Sequence, residues 1–479
     1  MHLKRMIIKD QGDPGLPFSD SLNSFATVSE GCMLFLRIRN VLILWLPILM
    51  TTLVACGDGG GGGGGGGGAD GTIVTKVWGT PISVDGTNNT ITAVELSASP
   101  SGNIVVGWSE SYQKADMSYY AQIAINYYTT SNGWSGRTVI GNESPAGIGY
   151  LSPDVSINDN GDIGVCVSNG WGTNVYRHSV SSGWSSFVIP NITSSKIEML
   201  PNGEIHVVGF IESGSQDSLG YYSISNNGTL SSQETIATNV TNSAFDFVLN
   251  SSGTGVVVYE GTAIVGNDIN AIIYDPIGGW GANEPIGAGN GGATSFPNVC
   301  ISENNHISAV WGLYNSSSDT YSIWGSYYVN GSWSYAKVRE LEANSTSPNP
   351  YIYPISINST GLSYLVFDNA SGVGASSINA LNVTNYIGVF DIGHQPSVVA
   401  GEDGLAYIVY SSSDGFQDSL YFAPYDPING FTNPYLIEDI ESGDVSVPKL
   451  VSFDDDSLVA AFLVDEPGMR RSVYVVIYQ

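Results

Sequence analysis

Cations are what this sequence has least of. Its 479 residues hold 15 Lys and Arg against 44 Asp and Glu, for a formal net charge of −29. No basic stripe is available to neutralise phosphates, so nucleic acid is excluded as a partner. Cysteine is scarce too, at four. There is no Cys-x-x-Cys and no His-Glu-x-x-His, and the histidines His178, His206, His306 and His394 fall in separate parts of the chain, which reads as strand or loop positions rather than metal ligands. Helical periodicity is absent throughout. Only one long apolar run exists, Val41 to Ala55, broken by Pro47.

What the chain does have is one stretch written again and again. In Ser152 to Val167, Val155 and Ile157 alternate with polar residues, Asn158-Asp159-Asn160-Gly161 follows, and Ile163 opens a second apolar run. This predicts a strand, a turn needing positive φ, and a second strand. The turn recurs at Gly102, Gly161, Gly203, Gly253, Asn305, Gly361, Gly404 and about Asp456, with spacings from 42 (Gly161 to Gly203) to 59 (Gly102 to Gly161). The second strand is small and β-branched and ends in an aromatic, as in Ile104 to Trp108, Val256 to Tyr259 and Ile307 to Trp311. Such a strand suits burial on both faces. A third strand follows a polar loop. A fourth is marked by an aromatic after a tight turn: Trp134, Trp184, Trp280, Trp333 and Phe431.

A four-stranded repeat of this period predicts an all-β fold, a single β-propeller over residues 72–479. Eight four-stranded blades are expected, or seven if the sixth repeat, which lacks the Trp, is an insertion. The last repeat stops at its third strand, Val473 to Tyr478, while Lys76 to Ile82 resembles a fourth strand. The N-terminal strand is therefore expected to complete the last blade and remove two exposed sheet edges. Cys166 and Cys300 fall inside strands of non-adjacent repeats, too far apart to bridge, and read as core thiols.

The start of the chain carries a different message. Arg37 and Arg39 precede the apolar run, which is too short to span a bilayer comfortably and reads as a secretory signal. The run ends in Leu53-Val54-Ala55-Cys56, which resembles the lipobox of bacterial lipoproteins. The resemblance implies cleavage before Cys56, acylation of that residue, and attachment to a membrane of the cell envelope. Two or more acyl chains suffice for stable anchoring. Gly57, rather than Asp, follows the cysteine, which in this family leans towards the outer membrane. Residues 1–32 are acidic in part and fit no signal, so Met33 is the expected start, 33–55 the signal peptide and 56–71 a polyglycine tether. The mature chain would carry a net charge of about −30.

The turn pattern Ser-x-Asn-x-x-Gly, as in Ser156 to Gly161 and Ser356 to Gly361, resembles the Asp-box repeats of sialidase-type propellers. In that family the boxes are structural turns, and activity needs three arginines around the substrate carboxylate. Arg137, Arg177, Arg339, Arg470 and Arg471 are the arginines after Cys56, and their placement predicts no such triad. No catalytic set is legible. The loops between second and third strands project from one face of a propeller, and they carry carboxylates and aromatics, the residue types that bind sugars. The candidates are Tyr112, Asp116, Trp171, Asp217, Asp268, Tyr314, Asp319 and Asp418. Asp also recurs in loops because it caps turns. Asn158 to Asp162 and Asp454 to Asp456 are the stretches where Ca²⁺ would sit, although neither has the spacing of a known loop. The expected function is binding of a protein or glycan ligand by an anchored module, with a carbohydrate-active enzyme as the rival reading.

Overall fold

A computed structural model describes residues 76–479 except 146–151, 170–171, 212–216, 263–266, 288–292, 316–319, 342–353, 370–371, 380–384, 392, 414–416, 427–428, 433, 439–442, 454–456 and 467–469. Cys56, Trp171, Asp319 and Asp454 to Asp456 lie outside the described residues. The described chain is all β, every pairing is antiparallel, and the architecture is of the propeller type.

The local unit forms for the reason read from its turn. Gly102, Gly161, Gly203, Gly253, Gly361 and Gly404 all have φ between 80° and 90°, and Asn305 has φ 61°. Each closes its turn by donating its N–H three residues back, as Gly161 does to the Asn158 carbonyl at 2.9 Å. Glycine reaches this region without steric cost, and Asn tolerates it. The fourth-strand aromatic has a partner six or five residues earlier: Tyr128–Trp134 at 5.6 Å, Tyr274–Trp280 at 5.1 Å, Tyr328–Trp333 at 5.2 Å and Tyr425–Phe431 at 4.9 Å between ring centroids.

The strands form seven sheets rather than one per repeat. The third and fourth repeats share an eight-stranded sheet, because Glu234–Leu249 runs on from the last strand of one into the first strand of the next without a break. The sixth repeat, despite lacking the Trp, makes a four-stranded sheet of its own from Ile355–Ile357 to Asn385–Asp391. Among the described residues no sheet closes on itself. Instead each first strand packs on the first strand of the next unit, and Asp444–Ser452 of the last returns to Thr90–Ala98 of the first.

The core follows the same plan. Eight separate apolar clusters each bridge two neighbouring units; one joins Ile123 and Ile125 to Val155 and Val165, and another joins Val94 and Ile104 to Val459 and Ala461. Cys166 and Cys300 are free thiols pushed upward by burial, as core thiols should be. The N-terminal segment completes the last sheet. Ile82–Ser83 pairs with Val475 and Tyr474, and Trp78 bridges Tyr478.

Polar side chains stitch the units together. Asn158, Asn250 and Asn358 use Oδ1 to accept N–H groups of their own turns and Nδ2 to donate to carbonyls in the next unit: Leu200 at 3.3 Å, Ser302 at 3.1 Å and Gly401 at 3.1 Å. The recurring turn Asn is thus a connector between units.

Candidate binding site on the inner rim

First strands begin, and second strands end, on the side of the ring that carries the loops between second and third strands. The described loop candidates are spread around it. Tyr112 stacks on Tyr120 at 6.3 Å, with the Lys114 ammonium 3.6 Å over the Tyr120 ring and paired to Glu143. Burial, then Glu143, pushes the Tyr112 hydroxyl up to about 12. Asp116 is exposed and caps its own turn, accepting from the Ser118 N–H at 3.0 Å and from its hydroxyl. Asp217 opens a strand against Val240, and Asp268 pairs with Gly261. Tyr314 pairs with Tyr321, and the Asp418 N–H donates to Asp444 at 3.2 Å. These six lie on hairpins of five different units.

A tighter constellation lies on the first strands, four residues before the turn. Glu95, Asp154, Lys196, Asp246 and Lys449 occupy this register, with Asn298 and Ser397 in other units. Lys196 lies between Asp154 at 4.0 Å and Asp246 at 3.9 Å, from the units on either side of its own. Lys449 reaches Glu95 at 3.2 Å across the junction of last and first units. Backbone groups fix several of these side chains. The N–H groups of Ile197 and Val299 donate to Asp154 at 2.7 Å and Asp246 at 2.9 Å, and that of Leu450 donates to Ser397 at 3.1 Å. Glu198 forms the next layer inward, 3.4 Å from the Ser156 hydroxyl. A cleft of about 230 Å³ opens here, lined by Glu95, Asp154, Lys196 and the serines 152, 168, 194 and 195.

The strand geometry explains why these side chains reach the rim. A register shift precedes the position in six units, for example between Thr193 and Lys196 and between Ser446 and Lys449. In four of them a non-glycine residue takes positive φ: Ser194 48°, Phe296 49°, Gln395 51° and Val447 50°. Such a bulge re-aims the side chain that follows, and a β-branched residue in this region is a true outlier. Three of the four precede a proline, in Phe296-Pro297-Asn298, Gln395-Pro396-Ser397 and Val447-Pro448-Lys449. Proline lacks the N–H that a bulge would leave unpaired. A proline directly ahead of a polar residue, at this distance from the turn, is the mark the rim leaves in the sequence.

Four carboxylates against two lysines in a narrow space do not all ionise readily. Burial pushes Asp154 up to about 6, with Lys196 opposing and Glu95 and Asp246 adding repulsion. Burial, then Asp154 and Asp246, pushes Glu198 up to about 8, and Asp246 is raised by burial. Lys196 is raised, chiefly by Asp154. The folded state therefore holds protons that the unfolded chain releases at lower pH. Its contribution from these groups is complete below the ordinary carboxylate range and is lost as pH rises through about 6 and about 8. Glu198→Gln removes this liability. Each pKa unit is worth ~1.4 kcal/mol, so half of the Glu198 shift amounts to about 2 kcal/mol. The variant is expected to melt a few degrees above wild type at pH 9 and together with it at pH 4. An equal difference at both pH values would show that Glu198 titrates normally.

Four arginines are held by the scaffold. Arg137 pairs with buried Glu110, and Arg177 donates to the carbonyls of Ser225 and Asn226 at 3.1 and 2.8 Å. Arg470 lies against Asp85 and Glu466, and Arg471 pairs with Asp465. In the Asn158 to Asp162 stretch, Asp159 accepts the Ser101 N–H and Asp162 the Val180 N–H, both at 2.9 Å. Among the described residues no group of three or more His, Cys, Asp or Glu could hold a metal ion.

No protein-family model and no curated protein matches the chain. Solved structures with a loose likeness include the polysaccharide lyase Uly1 (TM-score 0.47, 10% identity, covering 84% of this chain and 99% of that one). Another is the intramolecular trans-sialidase from Ruminococcus gnavus (TM-score 0.37, 13% identity, covering 81% and 95%). A third is the α-L-arabinofuranosidase Arb93A from Fusarium graminearum (TM-score 0.32, 11% identity, covering 60% and 92%). Likeness at this level carries no functional information, and the fold assignment rests on the sheet topology of the chain itself.

Proposed function

We propose that the chain is a lipid-anchored module of the cell envelope, tethered to the outer membrane through Cys56, whose eight repeat units are the blades of one propeller. In this reading it binds a protein or glycan ligand at the inner rim without transforming it. The observation that supports it most is Lys196 held between Asp154 and Asp246 in a serine-lined cleft. Charges fixed beforehand by backbone N–H groups and by neighbouring units give a concave polar site that needs no reordering on binding. With four carboxylates to two lysines, the rim favours a ligand presenting hydroxyls or a cationic group. Cys56→Ser is expected to release the protein from the membrane fraction, read by fractionation and by loss of labelled fatty acid. Cross-linking in intact cells from a photoreactive residue at Ser194 is expected to capture a ligand or partner, and Lys196→Met is expected to reduce that capture at least tenfold. Capture unchanged by Lys196→Met would remove the rim from the reading.

The rival enzyme reading draws on one feature, Glu198. Its carboxyl stays protonated near neutral pH close to carboxylates, as a general acid of glycoside hydrolysis must. Hydrolysis of a bound glycan that disappears in Glu198→Gln would favour it over pure binding.

A further inference from the structure

On the side of the ring opposite the inner rim site lies a cleft of about 460 Å³ between the first two units. It is built from hairpin turns and the strand ends that flank them: Ser101 and Asn103 from one, Tyr127 and Thr129 to Asn132 from a second, Asp159 and Asn160 from a third, His178 and Val180 from a fourth. Its volume falls in the range of small-ligand pockets. Its chemistry differs from the rest of this acidic chain. Asp159 is the one carboxylate in the lining, and its Oδ1 already accepts the Ser101 N–H. The imidazole of His178 packs against Tyr127 at 5.5 Å and Trp184 at 5.0 Å. Its Nδ1 is buried and has no hydrogen-bond partner among the described residues, and burial lowers its pKa, so it is a neutral donor or acceptor.

Two other junctions are built differently. In the fifth unit Tyr327, three positions past the turn in strand register, sends its hydroxyl to the Gly361 carbonyl of the next unit at 2.9 Å. Tyr364 does the same to Gly404 at 2.7 Å. At Gly361 the Tyr327 hydroxyl lies directly beside the turn. Tyr127 holds the same register as Tyr327 but lies against His178, and the gap stays open with a half-buried aromatic ring at its wall.

We infer that this cleft is a second binding site and that it takes a neutral, hydroxyl-rich ligand, an oligosaccharide. Serine and threonine hydroxyls and asparagine carboxamides offer donors and acceptors side by side, which matches the paired capacities of sugar hydroxyls. The Tyr127 ring supplies an apolar face for the C–H side of a sugar. Neither an anion nor a cation is served by such a lining. Because Asp159 and the chain's overall charge repel carboxylates, neutral sugars are preferred to uronic or sialic acids.

The test is binding of the full chain to an array of neutral and acidic oligosaccharides, followed by calorimetric titration of the best neutral hit. Ser131→Trp places a bulky group on an exposed turn at the cleft mouth and is expected to weaken that binding at least tenfold. Lys196→Met, on the other side of the ring, leaves it unchanged. In the wild type, titration shifts the imidazole resonances of His178 but not those of His206 or His306. Failure of every neutral oligosaccharide at millimolar concentration would overturn the inference. So would binding that survives Ser131→Trp, or that follows Lys196 instead. The result is independent of the rim reading, which Lys196→Met tests separately.

Discussion

Removing residues 76–85 is expected to convert a cooperatively folding chain into one that aggregates on warming. The segment is short, but it is the fourth strand of the last unit. Val77 and Gln479 exchange backbone hydrogen bonds at 2.9 and 3.2 Å, and Gly79 and Val84 donate to Ile477 and Val473 at 2.8 and 3.0 Å. Without it, Arg470–Tyr478 becomes an apolar edge strand that can pair with another chain. Val84, 5% exposed, leaves the cluster that joins the last unit to the first, and Asn126 loses the Val84 carbonyl it donates to at 3.1 Å. Asp85 is fully buried, accepts from Ser83 at 2.7 Å and faces Arg470 at 3.6 Å, so its loss leaves a half-buried guanidinium short of a partner. Trp78 alone packs edge-on against Phe422 and tilted on Tyr478, both at 5.2 Å. Trp78→Ala is expected to cost about 3 kcal/mol, near the lower end of large-to-small core changes because the ring is only half buried. Thermal unfolding followed by light scattering separates the two effects. A truncated chain that melts reversibly within a few degrees of wild type would show that the N-terminal strand is dispensable for closure.

Arg137→Met is the other change expected to act strongly. The Glu110 side chain is completely buried at the end of a second strand, and Arg137 supplies its charge partner. Trp108 Nε1 donates to the same carboxylate at 3.2 Å, and the Gln122 amide donates to it as well. Those two neutral donors cannot compensate a buried anion. Breaking such a pair from one side typically costs about 3–5 kcal/mol, whereas removing both charges is far milder. Urea unfolding is expected to show a loss of about 3 kcal/mol for Arg137→Met. Adding Glu110→Gln should restore more than half of it, because the neutral amide still accepts from Trp108. If the double variant is no better than the single one, the damage is lost packing of the arginine stem and not the stranded charge. Arg177, Arg470 and Arg471 are likewise held by carbonyls or carboxylates of the scaffold.

The two halves of the problem were unequally legible. The repeat and its turn were visible because a positive φ and an alternating pattern are local demands, met within about ten residues at Gly161 as at Gly361. The closing strand was visible because Trp78 repeats the aromatic signature of Trp280 and Phe431. The merged sheet at Glu234–Leu249 was not, since the strand passes from one unit to the next through an irregular step, with Asn239 at φ 58° and a register shift between Val240 and Phe245. The loop carboxylates drew notice by their number, but Asp116 caps its own turn and Asp217, Asp268 and Asp418 sit on separate hairpins.

The sequence by itself determined the unit, its approximate period, the acidic character and the way the last sheet is completed, because each depends on neighbours along the chain. The tertiary structure alone decided which charges meet. Lys449 and Glu95 are 354 residues apart and touch only because the ring returns to its start. Lys196 finds Asp154 and Asp246 because packing first strand on first strand places one register of several repeats around a common axis. A pattern read along one strand carries no information about its neighbour across a junction, and both binding sites proposed for this chain are made at junctions.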